Sequence, residues 1–361
     1  MSKMVNLSRH TVNSELEIIE TCPLCGHGKF KKVFTKFSLS VVRCQRCSLL
    51  FTNPRLIEAK IMSRYSDDYS FKEYLPVLEA SLNGSDLTPI KNQFRLFLQI
   101  IERFYMPGKK LLEIGCGAGF FLYFAREAGW QVEGIEYIDV AAKYARDKFD
   151  LNVQQGKFEE FSFHEEFDLI ALLETLEHLR EPCLSLKKIY RWLKPGGILL
   201  LSTPDYQSLS RFFLGINWAV LSPADHLFYF TRDTINRLLK ASGFEIIGLE
   251  SFADFNPRAT HVPQSIRCSF YTFLAKHLNQ SKLISKMRER AFNELIMADD
   301  FSTGQIRFYP WPKRLMKQFK KAGYNLLKSI FHGDRLLALA QKPVSRKANL
   351  NAVNKKGETQ R

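Results

Sequence analysis

The sequence predicts an α/β fold with a doubly wound, mainly parallel sheet, and two observations support that prediction. From Lys109 onward, short apolar runs alternate with amphipathic stretches, the pattern of strands that are each followed by a helix. Turn residues separate the runs, as at Lys194-Pro195-Gly196-Gly197. A chain of 361 residues, 45% of them hydrophobic, can bury a core of this size.

The alternating segment opens with a helix and contains six apolar strand patterns. Residues 90–105 place apolar side chains at helical spacing, and Pro107-Gly108 ends that helix. About 80 mainly helical residues separate the last two strands, which is too many for a plain loop, so we expect an inserted helical cap. The predicted strands are KLLEIG, QVEGIE, FDLIALLE, ILLLSTP, FEIIGLESF and RLLALAQKP.

Two pairs of cysteines near the N-terminus predict a structural metal site. Cys22 and Cys25 form one CxxC turn, and Cys44 and Cys47 form a second after a gap of 18 residues. Four thiolates from two such turns give the closed tetrahedral geometry of structural zinc, which leaves no open position for chemistry. A redox pair is the alternative, but it normally stands at a helix start in a βαβ unit. We therefore expect about one zinc ion per chain.

These patterns divide the chain into six predicted segments. The boundaries are 1–53 for the zinc-knuckle unit, 54–108 for a connector and leading helix, 109–252 for the sheet core, 253–333 for the helical insertion, 334–342 for the last strand and 343–361 for a basic, disordered tail.

The formal charge of +15 is concentrated near the C-terminus. From Arg307 onward, 14 Lys and Arg residues accompany only Asp334 and Glu358. A solvated surface with a disordered tail explains this excess; the alternative is an anionic partner, such as a membrane, a lipid-linked substrate or nucleic acid. The basic segment at 313–331 is the candidate for membrane contact. Because no signal peptide or long apolar run is present, we expect a cytoplasmic protein, with peripheral contact at the inner membrane face as an option.

The first strand of the predicted sheet runs into a glycine loop that suits a nucleoside cofactor. Gly115, Gly117 and Gly119 let the backbone approach a ligand and turn sharply into a helix. Glu136 ends the next strand, where a carboxylate can accept hydrogen bonds from both ribose hydroxyls. The spacing is GxGxG rather than the dinucleotide GxGxxG, and Glu113 before the loop disfavours a pyrophosphate. S-adenosylmethionine, with its ammonium and sulfonium groups, fits this charge better.

Three stretches, LLEIGCGAGFFL, VEGIE and WLKPGGILLLSTP, resemble the motifs of class I S-adenosylmethionine-dependent methyltransferases. The resemblance is strongest to the branch with the ubiquinone-pathway O-methyltransferases and the zinc-knuckle methyltransferases of sugar and natural-product pathways. It implies a seven-stranded Rossmann-like sheet, with Gly115, Gly117 and Gly119 at the methionine part of the cofactor. It further implies that Glu113 orients the loop and that Glu136 holds the ribose.

The resemblance also assigns an adenine contact, with one departure. Many relatives place an Asp where Lys157 stands, so Phe158 and Glu159 are the predicted substitutes. Core packing is the alternative for Phe158.

The segment Glu174-Thr-Leu-Glu177-His178 follows the strand FDLIALLE, where this fold class opens its active site. His178 has a suitable ordinary pKa for the base that a hydroxyl acceptor needs. The resemblance implies that Glu174, Glu177 and His178 match positions linked to a divalent ion such as Mg²⁺. The alternative is that His178 caps the loop and that Glu177 is solvated.

A second candidate catalytic histidine is His226, in a HLFYF stretch that related zinc-knuckle methyltransferases share. Asp225 is predicted to orient its ring, and a purely structural histidine is the alternative. The apolar segment Leu209–Leu221 is interpreted as a buried helix, an acceptor pocket or a membrane contact.

These observations predict an enzyme that methylates a hydroxyl or carbon of a small-molecule, glycan or lipid-linked acceptor. An RNA methyltransferase that uses the zinc unit and basic tail for binding is the alternative. The Asn/Asp-Pro-Pro-aromatic motif of amine methylation is missing after FDLIALLE, which disfavours that reading. A non-catalytic binding module that keeps the fold is a third hypothesis, and the intact glycine loop speaks against it.

Overall fold

The computed structural model describes residues 15–65, 88–104, 108–208, 211, 214–218, 220–252 and 334–344. The predicted helical insertion (253–333), the basic segment 313–331 and all but two residues of the predicted tail (343–361) lie outside these ranges.

Contacts between residues divide the chain into two compact units. The first comprises residues 1–205, 219–250 and 335–361, and the second comprises Tyr206–Trp218 and Ser251–Asp334. Within the second unit, Gly215–Asn217 forms a short 3-10 helix, and the Arg211 guanidinium lies 4.2 Å from the centre of the Tyr206 ring. This 3-10 helix is part of the apolar segment for which a buried helix was one interpretation.

The strands and helices alternate along most of the described chain. The N-terminal strands are β1 (Leu16–Glu17), β2 (Phe30–Lys36), β3 (Leu39–Cys44), β4 (Leu50–Thr52) and β5 (Arg55–Leu56). The later strands are β6 (Lys110–Ile114), β7 (Gln131–Glu136), β8 (Val153–Gln155), β9 (Phe167–Leu173), β10 (Leu193–Pro204), β11 (Phe228–Tyr229), β12 (Glu245–Phe252) and β13 (Arg335–Gln341). The helices are α1 (Glu58–Tyr65), α2 (Thr88–Ile101), α3 (Phe120–Glu127), α4 (Asp139–Phe149), α5 (Pro182–Trp192) and α6 (Arg232–Ala241).

A seven-stranded sheet in the order β12-β13-β10-β9-β6-β7-β8 confirms the predicted fold class. The pairings from β10 through β8 are parallel, and β13 runs antiparallel to β10. The chain winds outward in both directions from β6, so β6 and β9 flank the point where the strand order reverses. In this fold class, ligands bind outside the carboxyl ends of the strands at such a point.

The central strands form because they are nearly continuous apolar runs, as expected for strands that are covered on both faces. Every residue from Phe167 to Leu172 is buried, as are the eight residues from Gly197 to the end of β10. The helix that follows β11 begins with a capping box, in which the Thr231 hydroxyl accepts from the Thr234 backbone N–H at 3.3 Å.

The N-terminal unit is completed by a strand from the second half of the chain. The sheet order is β11-β4-β3-β2, with Phe228 opposite Phe51 and Tyr229 opposite Leu50. A separate pair, β1 and β5, holds Glu17 against Arg55. Within the described ranges, no helix is long and apolar enough to span a bilayer.

Candidate functional site

The glycine loop links β6 to α3 and presents one open position. Gly115, Gly117 and Gly119 all have positive φ, at 72°, 53° and 80°, where a side chain is disfavoured. A Cβ at Gly115 would lie 2.6 Å from the Thr175 hydroxyl, and one at Gly119 would lie 2.6 Å from Leu151. A Cβ at Gly117 would meet nothing within 4 Å. Two of the glycines therefore allow close packing, and Gly117 borders a space that a ligand can enter.

Glu136 lies against this loop from the end of β7. One carboxylate oxygen accepts from the Gly117 N–H at 2.7 Å, and the other accepts from the Ile138 N–H at 2.8 Å. The side chain is buried, which raises its pKa despite these donors. Since a carboxylate oxygen can accept two hydrogen bonds, Glu136 keeps acceptor capacity for ribose hydroxyls.

Glu113 in β6 is a buried carboxyl group beneath the loop. Burial, with a further contribution from Glu136, raises its pKa well above the usual range. The Leu122 N–H in α3 donates to this carboxyl group, while Oε2 has no hydrogen-bond partner. These contacts suit the predicted role in orienting the loop and helix, and that role stays a prediction.

Phe158 and Glu159, the residues predicted to contact adenine, lie against α5. Phe158 is buried with its ring 5.3 Å from Trp192, and the Lys188 ammonium lies 5.1 Å from the Phe158 ring centre. Lys157 forms an ion pair with Glu58 at 2.7 Å. Glu159 is exposed, and its backbone carbonyl accepts from Lys188. Phe158 thus packs in the core, the alternative that the sequence left open, and its contact with adenine stays a prediction.

The turn after β9 brings Glu174 and Thr175 beside the loop. Glu174 has a φ of 52°, and its Oε1 accepts from the Ser202 hydroxyl at 2.8 Å and lies 3.5 Å from the Arg335 guanidinium. The Thr175 hydroxyl is within hydrogen-bond distance of two carbonyls, Leu173 at 3.0 Å and Ile114 at 3.2 Å. The Thr175 hydrogen bond joins the carboxyl ends of β6 and β9, so this turn stands at the same edge as the glycines.

Glu177 is a buried carboxyl group in the short 3-10 helix Leu176–His178. Its Oε2 accepts from the Thr203 hydroxyl at 2.9 Å, and its Oε1 has no hydrogen-bond partner. Burial, with a contribution from Glu174, raises the pKa of Glu177 well above the usual range. The alternative interpretation of the sequence, that Glu177 is solvated, is therefore wrong. Thr203 was not singled out, because a threonine that ends an apolar strand gives no distinct signal.

His178 and His226 lie side by side, with ring centres 4.7 Å apart. His178 Nδ1 donates to the Asp225 carbonyl at 2.9 Å, and His226 Nδ1 donates to the Val220 carbonyl at 2.8 Å. The Asp225 carboxylate accepts from the Ser222 hydroxyl instead. Asp225 therefore contacts His178 through its backbone carbonyl, and its predicted role in orienting His226 stays a prediction.

The four cysteines Cys22, Cys25, Cys44 and Cys47 have the arrangement expected for zinc. Their thiol sulfurs all lie within 4.8 Å of one another, with Sγ–Sγ distances of 3.4 Å for Cys22–Cys47 and 3.6 Å for Cys25–Cys44. Tetrahedral zinc with sulfur ligands places its sulfurs about 3.8 Å apart. Backbone N–H groups from Cys47 and Arg46 lower the pKa of Cys44 to about 7, against the opposing effect of burial. The four thiols fit a structural zinc ion.

The burial of His178 and His226 predicts that the stability of the folded chain depends on pH. Burial, helped by His178, lowers the pKa of His226 to about 3 from 6.5. Below pH 6.5 the unfolded chain therefore binds more protons than the folded chain. The part of the free energy of unfolding that depends on a neutral His226 is fully present above that pH and is lost as the pH falls toward 3. Between pH 7 and pH 5 the expected loss is about 2 kcal/mol.

We expect His226→Asn to remove that loss, because the amide can keep a hydrogen bond to Val220 without taking up a proton. Urea unfolding of both proteins at pH 7 and pH 5, without added divalent ions, measures the difference. His164→Asn, at an exposed position, is the control. Equal acid sensitivity in the wild type and His226→Asn would contradict a buried neutral His226.

Comparisons with known proteins find similarity to methyltransferases. A family model described as a methyltransferase domain matches residues 90–249. The ubiquinone biosynthesis O-methyltransferase of Actinobacillus pleuropneumoniae serotype 7 is 32% identical over 165 residues, which cover 43% of this chain and 57% of that protein. The protein of the same name from Pseudomonas entomophila is 28% identical over 183 residues, covering 49% of this chain and 63% of that protein. The chain therefore spans about three fifths of the length of these curated relatives.

Among solved structures, a SAM-dependent methyltransferase from Archaeoglobus fulgidus is 18% identical with a TM-score of 0.44, covering 74% of this chain and 100% of that one. The family match spans the strands β6 to β10, the glycine loop and both histidines. Residues 90–249 of this chain are thus similar to a methyltransferase domain.

Proposed function

We propose that this chain binds S-adenosylmethionine at the glycine loop and transfers its methyl group to a hydroxyl of a small-molecule acceptor. The observation that carries the proposal is the open space at Gly117, with the Glu136 carboxylate 2.7 Å from the Gly117 nitrogen. S-adenosylmethionine supplies a methyl group on a positively charged sulfur. The Glu136 carboxylate, which lies against the loop, favours such a ligand over a pyrophosphate.

The chain's own residues supply positioning. The positive-φ glycines let the backbone lie close to the methionine part, and Glu136 accepts from the ribose. Glu177 Oε1 and the Nε2 atoms of His178 and His226 would bind the acceptor hydroxyl. One of the two Nε2 atoms would take up the hydroxyl proton as the methyl group leaves the sulfur, which yields S-adenosylhomocysteine. Because methyl transfer is an in-line displacement, alignment of the two reactants contributes most of what the protein must provide.

The hydroxyl acceptor is favoured by the relatives, whose name specifies O-methylation. Glycan and lipid-linked acceptors, a cytoplasmic location and contact with an anionic membrane stay predictions. The basic segment at 313–331, on which the membrane prediction rests, lies outside the described residues. An Mg²⁺ ion on Glu174, Glu177 and His178 also stays a prediction, and the Glu174 contacts with Ser202 and Arg335 do not favour it.

Methyl transfer is tested with S-adenosylmethionine that carries a labelled methyl group and a panel of hydroxylated ring compounds, with matched amines alongside. We expect label in the extracted hydroxyl products. Glu136→Gln should raise KM for S-adenosylmethionine at least about tenfold, since hydrogen bonds to a charged group contribute roughly 1.5–3 kcal/mol. Glu133→Gln, on the same strand but paired with Lys110, is the control. Label in amines alone, or an unchanged KM in Glu136→Gln, would contradict the proposal.

A further inference from the structure

We propose that Glu177, His178 and His226 bind a divalent first-row transition-metal ion, at a site separate from the four cysteines. The three residues come from two segments, the 3-10 helix after β9 and the residues just before β11. One ligand atom from each lies within 4.8 Å of the other two. A single ion can therefore contact all three after small adjustments of the side chains.

The two histidines are held in the tautomer that a metal ligand needs. Each donates its Nδ1–H to a backbone carbonyl, Asp225 for His178 and Val220 for His226. The lone pair is then on Nε2 in both rings. Metal-binding histidines commonly use their other ring nitrogen in this way, because the hydrogen bond fixes the ring and its protonation.

Glu177 supplies the independent observation. Its side chain is 1% exposed, and Oε1 is a buried oxygen without a hydrogen-bond partner. Leaving a buried polar oxygen unpaired costs about 1–3 kcal/mol, so its retention beside two imidazoles calls for a ligand. The Thr203 hydroxyl holds the other oxygen at 2.9 Å, which fixes the carboxyl group as a hydrogen-bonded metal ligand usually is.

The ligand set differs from the one that the family resemblance implied. Glu174 is not part of the group, because its carboxylate is engaged by Ser202 and Arg335. Two imidazoles and one carboxylate suit Zn²⁺, Fe²⁺, Co²⁺ or Ni²⁺, whereas Mg²⁺ prefers oxygen ligands throughout. Three protein ligands leave open coordination positions.

The role of the ion rests on the proposed function. At the carboxyl edge of the sheet, an open coordination position would bind the acceptor hydroxyl and favour its ionised form. The ion would orient the oxygen that receives the methyl group. Metal binding alone tests the proposed site, and it is measured without any acceptor.

The test adds Co²⁺ to purified full-length protein that already carries zinc. We expect one further metal equivalent per chain, with the weak visible bands of nitrogen and oxygen ligands and without the intense near-ultraviolet band of cobalt–thiolate bonds. Excess Mg²⁺ should not displace it. Glu177→Gln and His226→Asn should each weaken Co²⁺ binding at least about tenfold, and exposed His164→Asn should not.

The two variants conserve size, and circular dichroism confirms that they are folded before the titration. No second equivalent, a cobalt–thiolate band on the second equivalent, displacement by Mg²⁺, or unchanged binding in both variants would each overturn the site. A parallel titration with S-adenosylmethionine tests the proposed function separately, because the glycine loop does not include these three residues.

Discussion

Replacing Cys44 by Ser is expected to release zinc, unfold the N-terminal sheet and abolish methyl transfer. Cys44 is fully buried at the end of β3, in the same hydrophobic cluster as Phe51 and Phe228. Structural zinc contributes about 10–16 kcal/mol of apparent binding free energy in small zinc domains. The loss of this free energy exceeds the stabilisation that a sheet of this size gains by burying apolar surface.

The effect reaches the histidines because β4 pairs with β11. The Thr52 N–H donates to the Leu227 carbonyl at 2.9 Å, and its hydroxyl donates to the His226 carbonyl at 3.3 Å. If β3 and β4 unfold, the segment that carries His226 loses these bonds. The glycine loop lies between β6 and α3, which pair with neither strand, so binding of S-adenosylmethionine should persist.

Zinc content by mass spectrometry, methyl transfer and cofactor titration measure the three consequences in Cys44→Ser. Cys183→Ser is the matched control, because this cysteine stands outside the group and its thiol donates to the Pro23 carbonyl at 3.0 Å, which a serine can also do. A Cys44→Ser protein that is free of zinc and yet fully active would disprove a structural role for the metal.

Most of the central sheet could be predicted because its strands are apolar runs. β9 and β10 stand out in the sequence for this reason, and the glycine loop is marked by its spacing. β8 was missed because Val153 is its only buried residue, while Gln154 and Gln155 are exposed. The leading helix was predicted at 90–105 and spans Thr88–Ile101, after which the Phe104 N–H bonds to the Ile101 carbonyl and closes the turn.

The details of the candidate site depend on contacts between distant segments, which no local pattern reports. β11 has only two residues and forms because β4 provides its partner, 177 residues earlier at Phe51–Phe228. The same pairing brings His226 to His178. Residue types at 174–178 and 225–226 predicted polar chemistry there, but the backbone carbonyls that fix both rings could be found only in three dimensions.

Gly117→Ala is expected to weaken S-adenosylmethionine binding at least about tenfold with little loss of stability. The new methyl group clashes with no protein atom, so the protein loses only about 1 kcal/mol from the left-handed backbone conformation. It occupies the space in which the cofactor must approach the loop. Gly129→Ala is the matched control, because that glycine also has positive φ and nothing within 4 Å but follows the end of α3.

Thermal unfolding and calorimetric titration of the two variants separate stability from binding. We expect similar small losses of stability in the two variants, and weaker cofactor binding in Gly117→Ala alone. Equal cofactor affinity in both variants would show that Gly117 does not border the cofactor.

Binding of S-adenosylmethionine at the glycine loop is tested most directly by calorimetric titration of the zinc-bound wild-type chain with this cofactor. We expect saturable heat at about one cofactor per chain, and a rise in the unfolding temperature that increases with cofactor concentration. An absence of both heat and thermal protection in folded protein would contradict it.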